Sequence, residues 1–192
     1  MEHAGAVAVQ VAMGIGLAAC TGLRAFFPLL VVAVAGRVGW VPLAEPFQWL
    51  ATWPAIVVFG VAVVTELLSD KVPIIDNLLD TVHVVVKPVA GAILATAVLT
   101  DLAPLEATAL GIMAGASTAG VVHVVKAKAR LVSSVLTAGV ANPILSLLED
   151  VAALIGAIAA IVVPVVIAAM AVLSVASVYL VVRRLRLRAS GA

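Results

Sequence analysis

Long runs of Ala, Val, Leu and Ile, separated by short clusters of polar and turn-forming residues, set the plan of this chain. A helix that crosses a membrane needs about 20 mostly apolar residues. The first run, from about Ala6 to Gly36, is too long for one straight helix, and Gly22 and Pro28 are placed to bend or break it. The second runs from about Thr52 to Leu68. It follows the loop RVGWVPLAEPFQW, whose Trp40, Phe47 and Trp49, with Trp53 just beyond, suit a membrane–water interface. The third covers about Leu78 to Thr100 and the fourth about Leu105 to Val125. The fifth, Leu131 to Glu149, is the weakest, because it carries Ser133, Ser134, Thr137, Asn142 and Pro143. The sixth, about Val151 to Val182, is again over-long and has Pro164 as a kink site.

Composition turns these runs into expected membrane spans. The chain is 65% hydrophobic and 11% charged, against roughly 25% charged for a soluble domain. Its mean hydropathy is +1.29. The abundance of Ala, Val and Gly suits close helix packing in lipid. A net charge of +1 gives no bulk attraction to nucleic acid. The single cysteine, Cys20, excludes an internal disulfide and a cysteine metal cluster. The opening MEHAGAVAVQ has neither the basic region nor the cleavage site of a secretory signal.

Lys and Arg positions set an expected orientation. Arg183, Arg184, Arg186 and Arg188 crowd the tail, and Lys126, Lys128 and Arg130 follow the fourth segment, whereas the turn DLAPLE has neither residue type. The positive-inside rule places the tail and the Lys126–Arg130 turn in the cytoplasm and DLAPLE outside. Six crossings then put both termini on the cytoplasmic side of the inner (plasma) membrane. Lys71 falls inside, and Arg37, outside, is the exception.

Two pairs of segments also match. GIGLAACTG from Gly14 aligns without gaps to GIMAGASTAG from Gly111, and PIIDNLLDTV aligns to NPILSLLEDV, with Asp80 on Glu149. Three spans per unit is an odd number, which predicts an inverted repeat. The expected fold is therefore an all-α integral membrane protein of about six transmembrane helices, with interrupted helices in a three-plus-three inverted repeat. It is one domain over residues 1–192, with repeat one at about 6–100, repeat two at about 105–183 and a basic tail at 184–192.

Against this apolar background the charges stand out. Asp76, Asp80, His83 and Lys87 follow i, i+4, i+7, i+11 spacing and share one helix face. They either dress a helix end, with Lys87 snorkelling to the interface, or line a polar cavity. Arg24, near the middle of the first segment, costs about 2.5–3.5 kcal/mol in lipid even on the mildest scale, so it should face the bundle and find an acid. Glu66 and Asp70 are its leading partners, with Glu149 and Asp150 behind them. His123, Lys126 and Arg130 read as residues of the cytoplasmic edge. Asn142 and the hydroxyls of the fifth segment add polar groups to a possible path.

The stretches TGLRAFFPLLVVAVAGRVG, TELLSDKVPIIDNLLDTVHVVVKPVAGAIL and NPILSLLEDVAALIGAIAAIVVP resemble the bacterial membrane proteins grouped as domain of unknown function 4126. The resemblance runs from about Gly14 to Val182. It implies an integral membrane domain built as a single unit, and it brings no catalytic residues and no activity.

No P-loop, no zinc-binding H-E-x-x-H and no G-x-S-x-G nucleophile motif occurs. Two clusters of acids, Glu66–Asp70–Asp76–Asp80 and Glu149–Asp150, contain oxygen ligands suited to a hard cation, while helix capping and pairing with Lys or Arg account for them more simply. The leading expectation is a small transporter or channel for an ion or small polar solute, with no cofactor and no catalytic residue. Its path would be formed by Arg24, Glu66, Asp70, Asp76, Asp80, His83, Lys87, Asn142, Glu149 and Asp150. The alternatives are a membrane enzyme acting on a lipid or isoprenoid head group, and a structural subunit of a membrane complex. The expected partners are the lipid bilayer and, for an oligomer, further copies of the chain.

Overall fold

The computed structural model describes residues 2–69 and 73–164, with side chains for 3–69 and 81–164. The structure of Asp70, the side chains of Asp76 and Asp80, the latter part of the sixth segment and the basic tail lie outside the described residues. Helix is the regular structure throughout the described residues. Helix α1 (Glu2–Leu23) is separated from α2 (Phe26–Arg37) by Arg24 and Ala25. A 3₁₀ turn, Glu45–Ala51, leads into α3 (Trp53–Ser69), and α4 spans Pro73–Ala97. Helix α5 runs unbroken over Pro104–Thr137, with a π-helical stretch at Gly111–Ala116, and α6 spans Asn142–Pro164.

Three of these helices are long and apolar enough to cross a membrane: α1, α5 and α6. The bent pair Glu45–Ala51 and Trp53–Ser69 makes a fourth if it counts as one span. Their outward faces are apolar, with Val57, Val58, Val61 and Val64 exposed on α3 and Val121, Val124 and Val125 on α5.

Contacts between distant residues give the helix directions. Arg24, at the foot of α1, pairs with Asp150 of α6, whereas Gly16, higher on α1, abuts Ala160. Helix α1 is therefore antiparallel to α6. In α2, Val34 and Val38 share a groove with Ile158 and Val162, so α2 runs back alongside α1. Segment one is a helical hairpin rather than one bent span. Helix α3 reverses again: Arg37 stacks over Trp53 at 5.4 Å, and Glu66 lies against Ala25. That ring accounts locally for the one basic residue the charge rule misplaces. Helix α4 returns antiparallel to α1, with Gly14 against Ala95 and Thr21 donating to the Lys87 carbonyl at 3.5 Å. Helix α5 descends parallel to α1, with Gly22 against Ala119 and Val122.

These directions correct three expectations. Segments four and five do not form two spans. Residues 131–137 continue α5, and 142–149 open α6. The hydroxyls of Ser134 and Thr137 bond to the Arg130 and Ser133 carbonyls at 2.9 and 2.7 Å, so the polar stretch stays helical. The turn comes at Ala138 and Gly139, both in the left-handed region with φ of 49° and 83°.

The matched segments are also not inverted. Helices α1 and α5 run the same way, and Gly14 and Gly111 both pack against residues 95–98 of α4 at one depth. Helix α4 is likewise parallel to α6, so Asp80 and Glu149 open their helices at the same end of the bundle. The hairpin hidden in segment one makes the first unit even-numbered and reverses the parity.

Finally, Gln10 of α1 bonds Thr100 at 2.9 Å and accepts from the Asp101 N–H at 3.2 Å. The start of α1 and the DLAPLE turn share one face, so the N-terminus and that turn cannot lie on opposite sides.

Small residues let the helices approach. A Cβ on Gly91 of α4 would come within 2.7 Å of both Ala119 Cβ and the Gly115 carbonyl, and one on Gly156 of α6 within 2.8 Å of Cys20 Sγ. Leu17, Val32, Leu50, Leu94 and Val98 fill the interior on the Thr100 side and are fully buried.

Candidate functional site: a charged cluster at a helix break

The break between α1 and α2 organises the polar interior. Breaking a helix orphans carbonyls at one end and N–H groups at the other, and the macrodipoles add negative character at the α1 C-terminus and positive character at the α2 N-terminus. Each end is met by side chains of the complementary sign. The Leu23 carbonyl accepts from Lys87 Nζ at 3.2 Å and from Lys126 Nζ at 2.9 Å. The N–H groups of Ala25 and Phe26 donate to Glu66 Oε1 and Oε2 at 3.0 and 3.3 Å. A carboxylate from α3 thus caps α2 in place of a local N-cap residue, since Ala25 has no side-chain acceptor.

Further pairs surround this centre. Arg24 Nε pairs with Asp150 Oδ1, and Nη2 donates to Ser146 Oγ at 2.7 Å. His83 Nε2 lies 3.7 Å from Glu66 Oε1, with the Phe26 ring 6.5 Å from the imidazole. Lys87 Nζ lies 3.3 Å from His123 Nδ1. Lys126 and Arg130 converge on Glu149 Oε2 at 3.0 and 2.9 Å. Arg24, Glu66 and Lys87 are at most 2% exposed. Along α4, Lys87 is roughly 21 Å from Pro73 and roughly 15 Å from Ala97 at 1.5 Å per residue, near mid-helix.

The expected residues divide as follows. Arg24, Glu66, His83, Lys87, Glu149 and Asp150 gather around the break. Among the described residues Arg24 pairs with Asp150 rather than Glu66, because folding α2 back turns the α1 end toward α6 and leaves Glu66 to the backbone of α2. Asn142 is not at this centre: its amide donates to Ser134 Oγ at 2.8 Å in the α5–α6 turn. Asp70, and the side chains of Asp76 and Asp80, are outside the described residues. His123 and Lys126 are buried in the cluster rather than at an edge. Their spacing with Arg130, i, i+3, i+7, is the signal for a shared inward face. Ser146 and the Leu23 carbonyl have no signal in the sequence. Among the described residues no three of His, Cys, Asp and Glu are grouped to hold a metal ion.

Polar groups continue from the centre toward the α5–α6 turn through Lys126, Glu149, Arg130 and Ser134 to Asn142. A groove of about 390 Å³ between α5 and α6, lined by Leu23, Lys126, Leu145, Leu148 and Glu149 among others, lies beside them.

Membrane-compatible apolar helices that bury a helix break and its counter-charges define an α-helical protein with a charged interior. The chain belongs to the family described as Domain of unknown function (DUF4126), whose model matches residues 11–184. No curated protein and no solved structure matches the chain.

Proposed function

We propose that the chain is a multi-pass membrane transporter that moves an ion or small polar solute past the α1–α2 break. One observation carries this reading: the backbone ends of α1 and α2 meet at mid-bundle inside ionisable side chains drawn from α3, α4, α5 and α6. Discontinuous helices with such ends are the binding device of many carriers, and buried ionisable groups in membrane segments mark ion and proton paths. The polar chain from Lys126 to Asn142 and the apolar fill on the Thr100 side support a state open toward the α5–α6 turn.

The exposed Lys128, on the turn side of the cluster, favours a cytoplasmic α5–α6 turn under the positive-inside rule. The start of α1 is then external.

Solid-supported-membrane electrophysiology on proteoliposomes tests the reading. Concentration jumps of protons, inorganic ions, small carboxylates and amino acids are applied in turn. At least one class should give a protein-dependent current that Lys87→Met reduces at least tenfold while the protein stays folded. Empty-vesicle responses for every class would reject transport and leave the charges as interhelical struts.

A further inference from the structure

We propose that Glu66 and His83 together bind one exchangeable proton, and that this proton controls the cap on α2. The inference deepens the transport reading, but its chemistry stands apart from it. Glu66 is 2% exposed and His83 is 5% exposed. They approach from α3 and α4, with Nε2 and Oε1 at 3.7 Å, so a movement of under an ångström makes a hydrogen bond. The same carboxylate accepts from the N–H groups of Ala25 and Phe26 at the start of α2. One group therefore serves as a proton acceptor and as a helix cap.

Among the described residues, the charged groups facing this pair come from the break, α4 and α5. Arg24, at the break, and Lys87, on α4, both act on Glu66. Lys87 in turn touches His123 of α5 and shares the Leu23 carbonyl with Lys126. Phe26 of α2 walls the imidazole.

The proton balance is simple. Without the proton, the pair is a carboxylate and a neutral imidazole, with net charge −1. One proton taken from bulk water gives either a carboxylate–imidazolium pair or a carboxylic acid bonded to Nε2, and both forms are net neutral. In the acid form one carboxyl oxygen becomes an O–H donor directed at His83. That oxygen no longer accepts from the α2 backbone, and the negative charge leaves the helix N-terminus. Release of the proton restores that bond and the negative charge. Proton binding is in this way linked to how firmly the α1–α2 hairpin is held to α3.

Solid-state NMR of the full chain in lipid nanodiscs tests this, with ¹⁵N-labelled histidine and ¹³C-labelled glutamate. Loss of signal in His83→Gln and Glu66→Gln assigns the two resonances. Between about pH 5 and 8, the range of a histidine, the Glu66 carboxyl carbon and the His83 nitrogens should move with one shared midpoint. Glu66→Gln should shift the His83 midpoint by about one pH unit or more. Exchange of the exposed Glu106 for Gln should leave it in place. A His83 that titrates while the Glu66 carbon stays still puts the proton on the imidazole alone, leaves the cap on α2 in place and overturns the proposal in the wild-type protein alone, even where Glu66→Gln fails to fold. A shared midpoint in protein that carries no current keeps the proton site and removes the transport reading. Current with independent midpoints does the reverse.

Discussion

At the scale of single residues, Arg24 shows how far physical cost alone reaches. A guanidinium in the middle of an apolar run must be buried against an acid, and it is. Which acid was not legible, because that depends on the direction α2 takes after the break. The role of Glu66, though not the residue, was hidden for a related reason: it caps a helix to which it is not joined, so no local capping pattern marks it. His123 and Lys126 read as edge residues because the fourth apolar run ends near Val125, whereas α5 continues to Thr137. Removing Arg24 takes a guanidinium away from Asp150 in a largely buried site. Arg24→Met should cost about 3–5 kcal/mol, seen as a lower melting temperature of the detergent-solubilised protein. The double variant Arg24→Met, Asp150→Leu should regain more than half of that loss. An unchanged melting temperature for the single variant would show that the pair adds nothing to the fold.

At the scale of helices, hydrophobic runs located most of the described helices but not the fold-back inside segment one, and polarity misled at one join. The fifth segment looked like a separate weak span, yet its hydroxyls bond back one turn along the same helix and make its polarity cheap. The over-long first run did announce its break at Gly22, but composition does not say whether a broken helix bends or folds back. Close packing decides that here, since α1 and α5 touch where Gly22 meets Ala119.

The same packing gives a sharp contrast between two glycines. Gly91→Val places its first side-chain carbon at 2.7 Å from two neighbours and should destabilise by about 1–3 kcal/mol. Gly60→Ala, with nothing within 4 Å, should leave stability level or slightly raised. Equal melting temperatures for both would mean that the α4–α5 contact is looser than described.

At the scale of the whole molecule, the helix directions make a topology that labelling can read. On a Cys20→Ser background, cysteines at Ala4 and Ala103 should both react with an impermeant thiol reagent in intact cells, because Gln10 ties the start of α1 to the 98–104 turn. A cysteine at Val140, exposed in the α5–α6 turn, should not react. Labelling of Ala103 but not Ala4 would break the shared face and restore an odd-numbered first unit. The parallel course of α1 and α5 has a consequence for any transport cycle. Carriers built from inverted halves reach their second open state by exchanging the shapes of the two halves. Halves that point the same way have no such exchange. Should the chain carry a solute as proposed above, its inward- and outward-open forms would not be exchanges of one another, and nothing in the fold would oblige them to hold the solute equally, so influx and efflux would differ in their half-saturation concentrations.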